Sequence, residues 1–232
     1  MVILITGTST GIGKVLARHF LGRGDRVIGC SRRQSAIDHP NYRHHQVDLT
    51  DSKALKSMCR SIRHEYGYID ALINNAGTSN MNHFMMTPDA VAHKLFDINF
   101  FAVLACCREA AKLLQKSREP SPAILNMSTV SVPWAIEGQL VYSASKGAVD
   151  QLTRVMSKEL AELNIRVNSI GLPPVRTALT RTVPSAKIDD LVQRQTIKRM
   201  CTPEDITGPV EFLVSQASQF VTGETIYLGG VN

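Results

Sequence analysis

Two side chains one helical turn apart carry the first chemical signal in this sequence. In Tyr142-Ser143-Ala144-Ser145-Lys146, the tyrosine and lysine are spaced i and i+4, which puts them on one helix face. A free phenol has a pKa of about 10, too high for efficient acid–base work near neutrality. A neighbouring ammonium favours phenolate, so Lys146 is expected to lower the value for Tyr142. Such a tyrosine gives a proton to a carbonyl oxygen while hydride attacks the carbon. Outside a fitting context, the same two residues would be an exposed helix surface.

That context begins at the N-terminus. Thr6-Gly7-Thr8-Ser9-Thr10-Gly11-Ile12-Gly13 follows an apolar run, Val2–Ile5, and precedes a helical pattern with Val15, Leu16 and Phe20. Glycines permit a tight turn and close backbone approach to a pyrophosphate, and a helix N-terminus offers free N–H groups. The spacing is a variant of the dinucleotide-binding fingerprint. The next strand ends Gly29-Cys30-Ser31-Arg32-Arg33. An acidic residue there would bind a ribose 2′-hydroxyl and repel a 2′-phosphate. Neutral Ser31 and cationic Arg32 instead suit the phosphate, so NADPH is expected over NADH. Two solvated arginines are the plainer alternative.

The elements that hold these residues alternate along the chain. Strands are predicted at Val2–Ile5, Arg26–Cys30, His45–Val47, Ile69–Ile73, Ile124–Met127, Ile165–Ile170 and Thr225–Leu228. Helices are predicted after Gly13 and over Ser52–Tyr66, Asp97–Lys116 and Val141–Leu163. Short β-branched runs separated by helices imply an α/β, doubly wound parallel sheet covered on both faces. Residues 1–232 read as one domain, with 172–202 as a lid between strands.

Composition narrows the rest. Of 232 residues, 44% are hydrophobic and 20% charged, enough for one core. Uninterrupted apolar runs stop short of the ~18 residues of a membrane span. The first residues look like a buried strand, with no secretory leader. Five cysteines, without a C-x-x-C pair, suggest a reducing cytoplasm. The histidines lack metal-ligand spacing, so no metal is expected. The net charge of +6 is spread along the chain, which suits an anionic cofactor or acidic partner better than nucleic acid.

Together these motifs resemble the short-chain dehydrogenase/reductase family in its single-domain branch. The resemblance rests on the glycine loop, Asp48 in V-D-L-T, Asn74-Asn75-Ala76-Gly77, Asn99 in D-I-N-F, N-M-S-T, Y-S-A-S-K and V-N-S-I. It implies a seven-stranded Rossmann-type sheet. It implies that Gly7, Ser9, Thr10, Gly11, Ile12, Gly13, Ser31, Arg32, Asp48, Leu49, Asn75, Ala76, Gly77, Val175 and Thr177 contact the cofactor with Tyr142 and Lys146. Asn99 would complete a proton relay with Lys146. Thr129, 13 residues before the tyrosine, takes the place of the usual catalytic serine, with Ser128 as the alternative. Thr129, Gln139 and Tyr142 would meet the substrate.

Within the family the chain looks most like 3-oxoacyl-(acyl carrier protein) reductases, through Gln139, Arg181, K-R-M-C-T-P-E-D-I and V-T-G-E-T-I. An acyl-thioester or other small carbonyl substrate, an acidic acyl carrier protein and a homodimer or homotetramer follow as expectations. Two departures stand out. Leu172-Pro173-Pro174 replaces the usual Pro-Gly pair, fixing φ and removing an N–H. Gly229 and Val231 replace an acidic or amide residue and a glycine near the end. They keep open a non-catalytic nucleotide-binding or scaffold protein; an NAD-dependent alcohol dehydrogenase of the same family is a third reading.

Overall fold

The structure, a computed structural model, describes residues 1–177, 180 and 185–231. Seven parallel strands form one sheet in the order β3-β2-β1-β4-β5-β6-β7. They are β1 (Val2–Thr6), β2 (Arg26–Ser31), β3 (Tyr42–Gln46), β4 (Ala71–Asn74), β5 (Ala123–Thr129), β6 (Arg166–Leu172) and β7 (Thr225–Tyr227). Chain direction through the sheet reverses between β1 and β4, where a crevice opens beyond the strand ends.

Alternate strand residues feed two cores. Leu4, Ile28, Leu72, Ile124 and Val167 face α2 (Ser52–Tyr66), α4 (Ala102–Leu114) and α6 (Leu140–Glu159). Ile3, Ile5, Val27, Ile73 and Leu125 face α1 (Gly11–Gly22) and α8 (Pro203–Val214). This two-sided burial explains why the strands lack polar alternation.

The long helix predicted from Asp97 begins earlier and has two parts. α3 (Asp89–Phe96) runs through a π turn (Asp97–Phe101) into α4. The whole stretch, Asp89–Leu114, is by length and composition long enough to cross a membrane. Counting uninterrupted runs missed this, because Arg108 breaks them. Its Val103, Cys106, Cys107, Ala110, Leu113 and Leu114 are buried against the sheet, and 33% of its most apolar stretch is buried in all.

The segment predicted as a lid contains α7 (Ser185–Arg194) and is tied down where Val175 bridges Cys201. Arg181 lies outside the described residues. A short helix, α5 (Ser131–Trp134), follows β5. All five cysteines are free and buried, and burial pushes the Cys30 thiol up to about 12, leaving it unreactive.

Candidate active site

A cleft of about 680 Å³ runs along the carboxyl ends of the strands. Its walls include both the glycine loop and Thr129, Gln139, Tyr142 and Lys146. Ser9, Thr10, Gly11, Ile12, Ser31, Arg32, Asp48, Leu49, Asn75, Ala76, Gly77, Val175 and Thr177 also line it. Gly13 and Asn99 lie behind its wall and do not border it.

The glycine loop is shaped by contact. Gly7 has φ +78° and Gly11 φ +59°, both in the left-handed region that favours glycine. A Cβ on Gly13 would fall 2.4 Å from Asn75 Nδ2 and 2.4 Å from the Gly7 carbonyl oxygen. Gly13 is thus a packing glycine. Asn75 Nδ2 donates to Thr6 O at 2.9 Å, and Ala76 N donates to Thr6 Oγ1 at 2.9 Å. These bonds fasten the end of β4 to the loop. The N-cap Thr10 makes no side-chain bond, and the first turn of α1 has no acidic residue, leaving N–H groups free for an anion. The cradle fits a dinucleotide pyrophosphate.

At the ribose end, Ser31 Oγ donates to Arg33 O at 2.6 Å. A polar chain lies behind it: Thr8 Oγ1 to Tyr42 OH at 2.9 Å, Tyr42 OH to His44 Nδ1 at 2.9 Å, and His44 Nε2 to Arg33 O at 3.0 Å. It holds the backbone that presents Arg32. Asp48 accepts from both Thr50 N (3.0 Å) and Thr50 Oγ1 (2.8 Å), an Asx turn. Those bonds, with the nearby Arg32 charge, hold its carboxyl below the usual range.

At the catalytic end, Lys146 is buried and its Nζ donates to Met127 O at 2.7 Å. Burial holds the amine down to about 8, against an upward pull from Asp150. The expected lowering of Tyr142 by Lys146 is not what the structure shows. Burial raises the phenol, opposed by the nearby Thr129 hydroxyl. The lysine Nζ is turned to a backbone carbonyl.

Thr129 belongs to a chain that spacing did not reveal. Ser131 Oγ donates to Gln139 Oε1 at 2.5 Å, and Thr129 Oγ1 donates to Ser131 Oγ at 3.1 Å while accepting from Ser131 N at 3.2 Å. A carbonyl oxygen only accepts, so Gln139 sets the direction of both hydroxyls. Ser131 has no counterpart among the predicted residues. Ser128, the alternative to Thr129, is buried, and its hydroxyl has no partner among the described residues.

Asn99 is fully buried in the π turn. Its Nδ2 donates to Thr78 O (2.9 Å) and Ser145 Oγ (3.1 Å), and its Oδ1 accepts from Thr78 N at 2.9 Å. A Cβ on Gly77 would sit 3.3 Å from Asn99 Oδ1 and 3.5 Å from Lys146 Nζ, so the three residues meet. Asn74 points away from the cleft, bonding Asn126 Oδ1 at 2.9 Å inside the core. The two altered segments also meet. A Cβ on Gly229, which has φ +88°, would lie 3.7 Å from Pro173.

Comparison with known proteins agrees with this geometry. A family model described as enoyl-(acyl carrier protein) reductase matches residues 7–232. A 3alpha-hydroxysteroid dehydrogenase of Mediterraneibacter gnavus is 30% identical over 240 residues, covering 99% of this chain and 95% of that protein. The 3-oxoacyl-[acyl-carrier-protein] reductase FabG of Escherichia coli is 26% identical over 235 residues, with 99% and 96% covered. The ligand-free aldohexose dehydrogenase of Thermoplasma acidophilum superposes with a TM-score of 0.90 at 27% identity, covering 99% of this chain and 93% of that one. A 4-hydroxyisoleucine dehydrogenase complexed with NADH gives 0.88 at 29% identity, with 100% and 98% covered. With its Rossmann-type sheet, nicotinamide-nucleotide cleft and paired tyrosine and lysine, the chain belongs to the short-chain dehydrogenase/reductase family of oxidoreductases and is most like its 3-oxoacyl-(acyl carrier protein) reductases.

Proposed function

We propose that the protein is an NADPH-dependent carbonyl reductase that converts a ketone, such as a 3-oxoacyl thioester, to a secondary alcohol. One observation carries this reading: Tyr142, Lys146 and Thr129 border the same cleft as the glycine loop and Arg32. Gly7, Gly11 and the N-terminus of α1 would hold the pyrophosphate, Arg32 the 2′-phosphate, and Asp48 and Leu49 the adenine. Val175 and Thr177 would close over the other end. The bound cofactor supplies the hydride.

The side chains do the rest. Tyr142 keeps its proton at neutral pH, because burial raises the phenol, and gives it to the substrate oxygen. Thr129 would position that oxygen by turning its hydroxyl from Ser131 to the substrate, with Gln139 flanking the substrate. Lys146 has three N–H bonds and spends one on Met127 O, leaving two, for a ribose hydroxyl and a water. Both amide N–H bonds of Asn99 are taken, so its place in a relay is through the backbone carbonyl. π turns recur at functional sites.

The free, buried cysteines suit a cytoplasmic protein. Exposed Phe101 and Leu140, at the starts of the α4 and α6 segments, suit burial in a homodimer or homotetramer. The basic balance suits an acidic acyl carrier protein as substrate donor.

The test is NADPH oxidation against a panel of ketones and β-ketoacyl thioesters. Turnover is expected, with Tyr142→Phe losing about 100- to 10,000-fold. NADPH binding without turnover of any substrate would instead support a nucleotide-binding role.

A further inference from the structure

We infer that Asp150 is a positioning residue for Lys146: a buried carboxylate that serves as its counter-charge and ties the catalytic helix to the last strand through Tyr227. The inference rests on the proposed role of Lys146.

Tyr142, Lys146 and Asp150 follow one another at four-residue spacing on α6, forming a single stripe. Asp150 is 4% exposed and Lys146 5%. Asp150 Oδ1 accepts from Ser169 Oγ at 3.0 Å, and Oδ2 accepts from Tyr227 OH at 3.0 Å. Among the described residues no cation comes within salt-bridge distance of it. A buried carboxylate held by two neutral hydroxyls alone is costly unless a positive charge lies nearby.

Two cations are candidates, both on α6. Arg154 is exposed, donating to Gln151 Oε1 at 3.0 and 2.7 Å, and its charge reaches Tyr227 from the surface. Lys146 is turned inward. From the packed strands, β6 contributes the neutral Ser169 and β7 the phenol of Tyr227, which burial and Asp150 hold above the ordinary range. The phenol therefore stays a donor. Burial lowers Lys146 to about 8 and Asp150 opposes it. Without that carboxylate the amine would lose its proton nearer neutrality.

The fold makes room for this contact. Gly171 pairs with Tyr227 in the sheet register. A Cβ on Gly171 would fall 2.1 Å from Tyr227 Cδ1, so the ring crosses directly over the glycine to reach Asp150. Tyr227 thereby holds in place the carboxylate that faces the lysine charge.

The test is a pH titration by NMR of the intact protein with labelled lysine and aspartate, Lys146 being assigned with Lys146→Arg. In the wild type, the Asp150 carboxyl signal is expected to step at the same midpoint as Lys146. In Asp150→Asn the Lys146 midpoint is expected to fall by about one pH unit. An unchanged midpoint, or an Asp150 signal blind to the lysine, overturns the inference. If Asp150→Asn does not fold, the wild-type titration decides alone. The measurement needs no turnover, so a failed substrate screen would count against the proposed reaction and not against this pairing.

Discussion

Asn75 Nδ2 lies 2.9 Å from the carbonyl oxygen of Thr6, and that bond locks the end of β4 to the glycine loop beside it. The same nitrogen is what a side chain at Gly13 would strike, at 2.4 Å. Gly13→Ala is therefore expected to destabilise the protein by about 1–3 kcal/mol and to abolish dinucleotide binding. Gly11→Ala meets no atom within 4 Å and strains only its φ of +59°, at about 1 kcal/mol. Thermal melts with and without NADPH check the pair. Equal effects at both positions would contradict the geometry.

Lys146 gives the pH dependence. Its pKa of about 8, lowered chiefly by burial, means the free enzyme loses the ammonium above that pH. For reduction, kcat/KM is expected to be level below about pH 8 and to fall about tenfold per unit above it. Stability moves the other way. The folded pKa lies below the unfolded one, so the cost of burying the ammonium is felt below about 8 and relieved as pH rises toward 10.5. Parallel loss of rate and melting temperature above pH 8 would assign the limb to unfolding.

Arg32 is exposed beside a Ser31 whose hydroxyl is turned back to Arg33 O at 2.6 Å. With Arg33, it is a charged group on the cleft wall available to a 2′-phosphate. Arg32→Ala is expected to weaken NADPH about 10- to 100-fold, the worth of a charge-assisted bond, and to leave NADH unchanged. Fluorescence titration with both nucleotides reads this directly. Equal loss of both would remove the assignment.

Ser131 stands between Gln139 and Thr129, 2.5 Å from one and 3.1 Å from the other. Removing its hydroxyl frees Thr129 to rotate. Ser131→Ala is expected to lower kcat about tenfold, the value of one net hydrogen bond, with KM little changed. Ser131→Thr should restore it. A drop in both variants, matched by lower melting temperatures, would mark a packing role.

The strands, the glycine loop and the Tyr142–Lys146 pair were legible because each is local: an apolar run, a turn, one helical repeat. α8 was equally legible, though not drawn from the sequence. Thr202 and Asp205 form a capping box with Pro203 at the first turn. Ser131 was not legible. It reaches Gln139 only because the chain bends back through Ala135 at φ 48° and Gly138 at φ 79°, and a turn of that kind leaves no spacing to count. The Tyr142 phenol was misjudged for a related reason. Four-residue spacing says that two side chains share a face, and the carbonyl of Met127 decides where one of them points.

The π turn at Asp97–Phe101 works as a phase adjuster. Each residue of an α-helix turns the chain by about 100°, so one additional residue per turn lets two segments on the same axis present unrelated faces. Within it, Asn99 is aimed at the Thr78 backbone; beyond it, Val103, Cys106 and Ala110 meet the sheet. Deleting a single residue there would force the chain to give up one alignment, trading the amide clamp behind the cleft against the apolar seam.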